Sequence, residues 1–302
     1  MLDLLETITD ELQHPTSRGH AISPIVQLTT ALRFYATGCF QREVADLHGI
    51  SMSSVSRCIA SVSRAIAMKV KDYITFSTDP EELRKVKAGF FNKTGFPNVI
   101  GVIDGTLIPI KGPSDDEPLY VCRKGYHALN IQVVCDSELN LLNIVAKWPG
   151  STHDSFMLNA SELYTLLENI AVPGWLLGDS GYALKPWLLT PVIAAGTRPQ
   201  QRYNSCHRRT RCVVERFNGV WKSRFRCLDR SGGSLQYSPP KCIMIIVATA
   251  CLHQICNKNN LPLPELLDVN IDDNDGENDD DNPLDLHSGR AVRQQVIDNV
   301  FS

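Results

Sequence analysis

Three acidic side chains stand where chemistry can be done. Asp104 interrupts the apolar run "VIGVIDGTLIPI" of residues 99–110, and Asp179 ends the apolar stretch in "GWLLGDSGY". Glu215 lies 36 residues further on, in "RRTRCVVERFNGVWKSRFRCL". A carboxylate placed in an apolar strand is costly to desolvate unless a partner compensates it. Taken singly, each aspartate reads equally well as the cap of the loop that follows. A lone glutamate in a basic helix reads as an ion pair on a solvated face. If the three share one crevice, they repel one another unless cations neutralise them. An all-oxygen set of this kind suits Mg²⁺ or Mn²⁺ better than zinc. Two such ions about 4 Å apart would activate a water or a 3′-hydroxyl and stabilise the leaving oxygen at a phosphodiester. Nearby arginines would hold the phosphate backbone. From Arg198 to Arg230 there are ten basic residues against two acidic ones, Glu215 and Asp229.

The elements that must position these groups follow from periodicity. Residues 99–104 predict a strand, with Gly105-Thr106 turning the chain after Asp104 as Ser180-Gly181 does after Asp179. Carboxylates at the strand ends of an α/β sheet project into the crevice where ligands bind. "YHALNIQVVCD" alternates Leu129, Ile131 and Val133 and turns near 137–140, so that "LLNIVAKW" is its antiparallel partner. "STHDSFMLNASELYTLLENI" has helical spacing, with Ser151, Thr152 or Asp154 able to cap it. The segment around Glu215 predicts a helix with Val214, Phe217 and Trp221 on one side, and with Arg211, Glu215, Lys222 and Arg226 near one stripe. Strands followed by helix, strand and helices give an α/β class with a mixed sheet.

Upstream, "PIVQLTTALRFYATG" predicts a helix ending at Gly38. Then "QREVADLHGISMSSVSRCIASVSRAI" reads as two helices joined at Gly49, the second capped by Ser51, with Ala45, Gly49 and Val55 at the crossing. This is the helix-turn-helix pattern, and Ser53, Ser54 and Arg57 would face a DNA groove. An ordinary helical hairpin packed on the main domain is the plainer alternative.

Three regions emerge: a helical one at 1–75, an alternating one at 76–262, and an acidic, low-complexity tail at 263–302 expected to be disordered, in which the last stretch, "GRAVRQQVIDNVF", could form a short helix. From Glu265 onward eleven acidic residues meet two basic ones, a net of −9; with −3 for the whole chain, the remainder carries +6. A basic body suits a polyanion partner. Ten cysteines without a CxxC pair, behind an acidic amphipathic N-terminus, indicate free thiols in a reducing compartment. His253 and Cys256 have the spacing of half a zinc site, but no second half is suitably placed. The apolar run Cys242–Leu252 is too short to span a bilayer and reads as a buried helix, so no membrane partner is expected.

"GVIDGTLIPI", "RKGYHALNIQVVCD", "WPGSTHDSFML", "LLGDSGY" and "RTRCVVERFNGVWKSRFRCL" together resemble the PIF/Harbinger transposase lineage, in order and with fitting gaps, from about residue 25 to 260. The resemblance implies a ribonuclease-H-like fold and a DDE triad carried over as Asp104, Asp179 and Glu215, all present, which would bind the divalent metal. It adds Asp154 and His153 as residues lining the site. It implies hydrolysis of DNA phosphodiesters leaving a 3′-hydroxyl, an N-terminal helix-turn-helix, and a Myb/SANT-like protein partner. Nuclear residence, with the cytoplasm as a second compartment, follows from that substrate and partner; a homo-oligomer is an open alternative. "VIGVIDGTL" also resembles the first motif of haloacid-dehalogenase-type phosphatases, but that chemistry needs a nucleophilic aspartate at position 102, which is Val102. The non-enzymatic rival is a catalytically silent descendant acting as a DNA-binding or scaffold protein. The sequence does not separate a host gene from a mobile element's own protein.

Overall fold

The strands that carry the carboxylates belong to one five-stranded sheet in the computed structural model, which describes residues 2–13, 21–169, 174–264 and 287–302. β1 (Val99–Pro109), β2 (Ala128–Cys135) and β3 (Leu141–Pro149) form an antiparallel meander. β4 (Trp175–Leu177) and β5 (Leu188–Leu189) run parallel to β1, giving the order β3-β2-β1-β4-β5. This mixed sheet with flanking helices is a ribonuclease-H-like arrangement. Every residue of β2 is buried, as befits a strand covered on both faces. The β2–β3 turn falls where the alternation predicts it: Asp136 accepts the N–H groups of Glu138 and Asn140 at 2.8 and 2.9 Å.

One local expectation is corrected. β1 does not turn at Gly105; it continues to Pro109, with Gly105 opposite Gln132 and Thr106 opposite Ile131. β2 offers a partner along this whole length, and Thr106 and Ile108 are buried there. Asp104 therefore lies within the strand rather than at its end.

The helices before the sheet are α1 (Leu2–Leu12), α2 (Pro24–Thr37), α3 (Gln41–His48), α4 (Met52–Ala67), α5 (Val70–Tyr73) and α6 (Pro80–Thr94). Gly49, at φ 63°, ends α3, and the Ser51 side chain accepts the N–H of Ser54 at 3.2 Å to cap α4. Val55, Ile59, Val62 and Ile66 of α4 are fully buried, and α4 packs against α11 (Pro239–Lys258). Ile8, Leu28 and Val62 join Val102, Val133 and Phe217 in one continuous core, so the helical region shares its core with the sheet.

After β1 come α7 (Glu117–Tyr120), α8 (Asp154–Asn159), α9 (Glu162–Asn169) and α10 (Arg198–Arg224). α11 is longer than the apolar run that announced it, and by length and composition alone it could cross a membrane. Here it is a core helix: Ile245, Ile246, Ala250 and Cys251 are fully buried, and it packs on α4 and β3. His253 sits in that core, with Nε2 3.0 Å from the Leu139 carbonyl; burial lowers its pKa to about 4. It is a neutral core histidine, not half a zinc site.

Residues 265–286 lie outside the described residues. α12 (His287–Val300) follows where the last stretch suggests a short helix, and it packs against α10 and β5. Val296, Ile297 and Phe301 are buried, apolar groups at helical spacing.

Candidate active site

β1 and β4 are parallel neighbours, with Val102 opposite Leu177. Two residues beyond each of these stand Asp104 and Asp179, so the register brings both carboxylates to one level on adjacent chain segments. Asp179 Oδ1 accepts the N–H of Gly181 at 3.0 Å. Asp154 opens α8, and its carboxylate lies directly over β1: a Cβ at Gly105 would stand 2.6 Å from Asp154 Cγ. α10 packs across β1 and β2 and brings Glu215 to the same place.

Charge is crowded here. Arg211 Nη2 lies 3.4 Å from Asp104 Oδ1 and 3.4 Å from Glu215 Oε1, so one guanidinium bridges two of the carboxylates. Asn218 donates to Asp104 Oδ2 at 3.1 Å. Asn130, on β2, donates to Asp154 Oδ1 at 2.8 Å and to the Thr152 carbonyl at 2.9 Å. Burial pushes the Asp104 pKa up to about 7; Arg211 opposes the rise, while the charges of Asp179, Asp154 and Glu215 add to it. Burial and then the charge of Asp179 push Asp154 up to about 6, against the Asn130 hydrogen bond. Among the described residues the buried Tyr182 hydroxyl has no hydrogen-bond partner, and its pKa is raised by burial and by the charges of Asp154, Asp179 and Asp104.

The structure thus brings Asp104, Asp154, Asp179 and Glu215 together. His153 is exposed beside them as the residue before α8, and its charge helps lower the Asp154 pKa. Of the basic stripe, Arg211, Glu215 and Lys222 do share the side turned toward the sheet, and only Arg226 is corrected. Arg211 is buried against the carboxylates. Lys222 turns inward too, its Nζ donating to the Leu107 carbonyl at 3.1 Å. α10 ends at Arg224, so Arg226 lies on the next short turn, exposed, and off the helical stripe. Ser53 and Arg57 are exposed on α4, and Arg57 Nη2 donates to the half-buried Ser54 hydroxyl at 3.2 Å.

The donor set is all oxygen, the chemistry a hard divalent cation takes, and the raised pKa values mark negative charge in need of a partner. Among the described residues no three of His, Cys, Asp and Glu are arranged so that they could hold a metal ion as they stand, and Arg211 is the cation between Asp104 and Glu215. Asn130, Asn218 and Tyr182 were not singled out from sequence. Asn130 had a signal as a polar residue within "ALNIQVVC", and Asn218 as the residue three past Glu215 on the same helical side.

A mixed sheet of this order with flanking helices fits the ribonuclease-H-like fold of the DDE nucleases. Residues 103–254 match the DDE superfamily endonuclease family, and the chain belongs to it, in its Harbinger transposase-derived branch. It is similar to the "Putative nuclease HARBI1" of Mus musculus, 40% identical over 305 residues that cover 99% of this chain and 86% of the mouse protein. The Homo sapiens protein of the same name is 41% identical over 83% of this chain and 72% of its own length. The one from Xenopus laevis is 39% identical over 86% and 75%.

Proposed function

We propose that the protein is a divalent-metal-dependent endonuclease that hydrolyses DNA phosphodiester bonds and leaves a 3′-hydroxyl. The meeting of Asp104, Asp154, Asp179 and Glu215, with Arg211 bridging Asp104 and Glu215 and with two of the four carboxylates raised toward neutrality, carries this reading. Asp104, Asp179 and Glu215 would hold Mg²⁺ or Mn²⁺, which when bound supplies water activation and neutralises charge developing on the phosphate. The chain's own groups orient the donors. Asn218 fixes one oxygen of Asp104 and leaves the other to Arg211. Asn130 aims Asp154 over β1. Arg211 holds its positive charge where a scissile phosphate would meet the carboxylates, and stabilisation of a transferring phosphoryl group by such a fixed charge is a general device.

The same reading includes DNA contact through Ser53, Ser54 and Arg57, a Myb/SANT-like partner, and residence in the nucleus with a cytoplasmic fraction. A homo-oligomer is compatible with it. Nicking of supercoiled plasmid in Mn²⁺ or Mg²⁺ tests the core of it. The wild type is expected to nick, and Asp104→Asn, Asp179→Asn and Glu215→Gln are each expected to lose detectable cleavage with unchanged circular dichroism. A variant that keeps wild-type cleavage removes its residue from the triad.

The position of Arg211 favours one second reading. A guanidinium already neutralises Asp104 and Glu215, as suits a silent descendant that binds DNA or a partner without cutting. Tight DNA binding with no nicking in any divalent ion would select it.

A further inference from the structure

α10 carries two opposite faces. Arg211, Glu215, Asn218 and Lys222 turn toward the sheet, at spacings of 4, 3 and 4 residues. Arg198, Arg202, Arg209 and Arg216 follow one another at spacings of 4, 7 and 7, which is a straight stripe on the other side of a helix. All four are exposed. At 1.5 Å per residue the stripe runs about 27 Å.

Among the described residues none of the four meets an Asp or Glu side chain. Two are held in place by backbone: Arg202 Nη1 donates to the Ser302 carbonyl at 3.0 Å, and Arg209 donates to the Thr94 carbonyl at the end of α6. Arg198, Arg202 and Arg209 line a cavity of about 630 Å³ with Thr94, Gln201 and Phe301. The sole acid in α10 is Glu215, which faces the other way. A solvated helix face ordinarily mixes both signs of charge; a single-sign arginine track is the electrostatic footprint of a polyanion.

We propose that the outer face of α10, marked by Arg198, Arg202, Arg209 and Arg216, binds the phosphate backbone of a second DNA segment, distinct from the one presented to the carboxylates. The inference rests on the nuclease reading for the choice of DNA as the polyanion. A straight duplex seated on the sheet-facing site does not reach the opposite side of the helix, so the stripe takes either the far flank of a bent substrate or another duplex. Arginine's planar fork suits phosphate oxygens, and the regular track follows a backbone without reading bases.

The test is DNA binding by fluorescence anisotropy across a salt series, in EDTA, with the whole protein and a 30-bp duplex. Arg198→Gln/Arg216→Gln is the informative variant, because among the described residues neither side chain makes a hydrogen bond or ion pair. Each lost phosphate contact lowers the slope of log K against log salt by about 0.9, so the double variant is expected to lose about 1.8, equally for unrelated sequences. Arg198→Lys/Arg216→Lys is expected to keep most of the slope. An unchanged slope in the glutamine variant overturns the proposal. So does loss of binding to a poly-glutamate peptide with DNA binding intact, which would assign the face to an acidic protein. Because no cleavage enters this titration, failure of the nuclease reading appears only in the plasmid assay.

Discussion

The Asp154 carboxylate rests on the backbone of Gly105, with the place of a Cβ only 2.6 Å from Asp154 Cγ. Glycine at 105 serves close approach, not a turn. Gly105→Ala is expected to cost about 1–3 kcal/mol through overpacking and to drive Asp154 away from Asp104, with loss of cleavage. Gly105→Ala/Asp154→Ala is expected to recover much of the stability and none of the cleavage. Urea unfolding of the two single variants and the double one checks this. Stability losses that simply add would show that the two residues do not press on each other.

The raised carboxylates fix a pH dependence. Asp104 moves from an ordinary 3.8 up to about 7, and Asp154 up to about 6. Between the unfolded and folded values the native protein holds protons that the unfolded chain has released. Native stability without divalent ions is therefore greatest below about pH 4 on account of these groups, and their contribution is lost as pH rises to about 7. Divalent ions bind the ionised carboxylates, so Mg²⁺ or Mn²⁺ is expected to raise the melting temperature more at pH 7.5 than at pH 5. Asp104→Asn is expected to be more stable than the wild type at pH 7.5 without metal, and to lose most of the metal-induced gain. A metal-induced shift of equal size at both pH values would count against ligation by these groups.

Much of this site was legible in the sequence because a carboxylate set in an apolar strand is costly to bury and so points to a ligand or a reaction. Asp104 and Asp179 stood out for that reason, Glu215 as the lone acid of a basic helix, and the antiparallel pair after β1 followed from its alternation and turn. What stayed hidden depends on the third dimension. The direction of Arg211 is set by how α10 lies across the sheet, which no spacing rule contains. The role of Gly105 depends on the arrival of α8 some fifty residues later. A short helix at the end of the chain was legible, but the docking of Phe301 on Phe96 and Tyr203 joins residues about 100 or more positions apart and no local pattern contains it.

Lys222 and Arg57 are expected to separate stability from DNA contact. Burial lowers the Lys222 pKa to about 8, and its Nζ donates to a strand carbonyl. Lys222→Ala leaves that carbonyl without its donor and is expected to cost about 1–3 kcal/mol, with little change in the salt dependence of DNA binding. Arg57 is exposed on α4, and Arg57→Ala is expected to change stability by less than about 0.5 kcal/mol. Its DNA affinity should fall, with a salt slope lower by about 0.9 if it meets one phosphate. Thermal unfolding paired with anisotropy reads both quantities, and an unchanged affinity for Arg57→Ala would reduce α3 and α4 to packing.

The last helix is expected to be structural in spite of the acidic stretch before it. Phe301 is 9% exposed, and its ring lies 5.5 Å from that of Phe96 and 5.7 Å from that of Tyr203. Ile297 is 2% exposed, and Arg293 donates to the Pro191 carbonyl at 2.9 Å, tying α12 to the segment after β5. Phe301→Ala empties one corner of an aromatic cluster that also holds α10, the helix carrying Glu215. It is expected to cost about 3 kcal/mol by urea unfolding, whereas Phe301→Leu, which keeps most of the volume, is expected to cost less than about 1.5. Hydrogen exchange in the presence of native protein locates the damage. If the helix docks as described, protection falls in α12 and at the start of α10 together; if only α12 loses protection, its contact with α10 carries no strength, and the position of Glu215 does not depend on it.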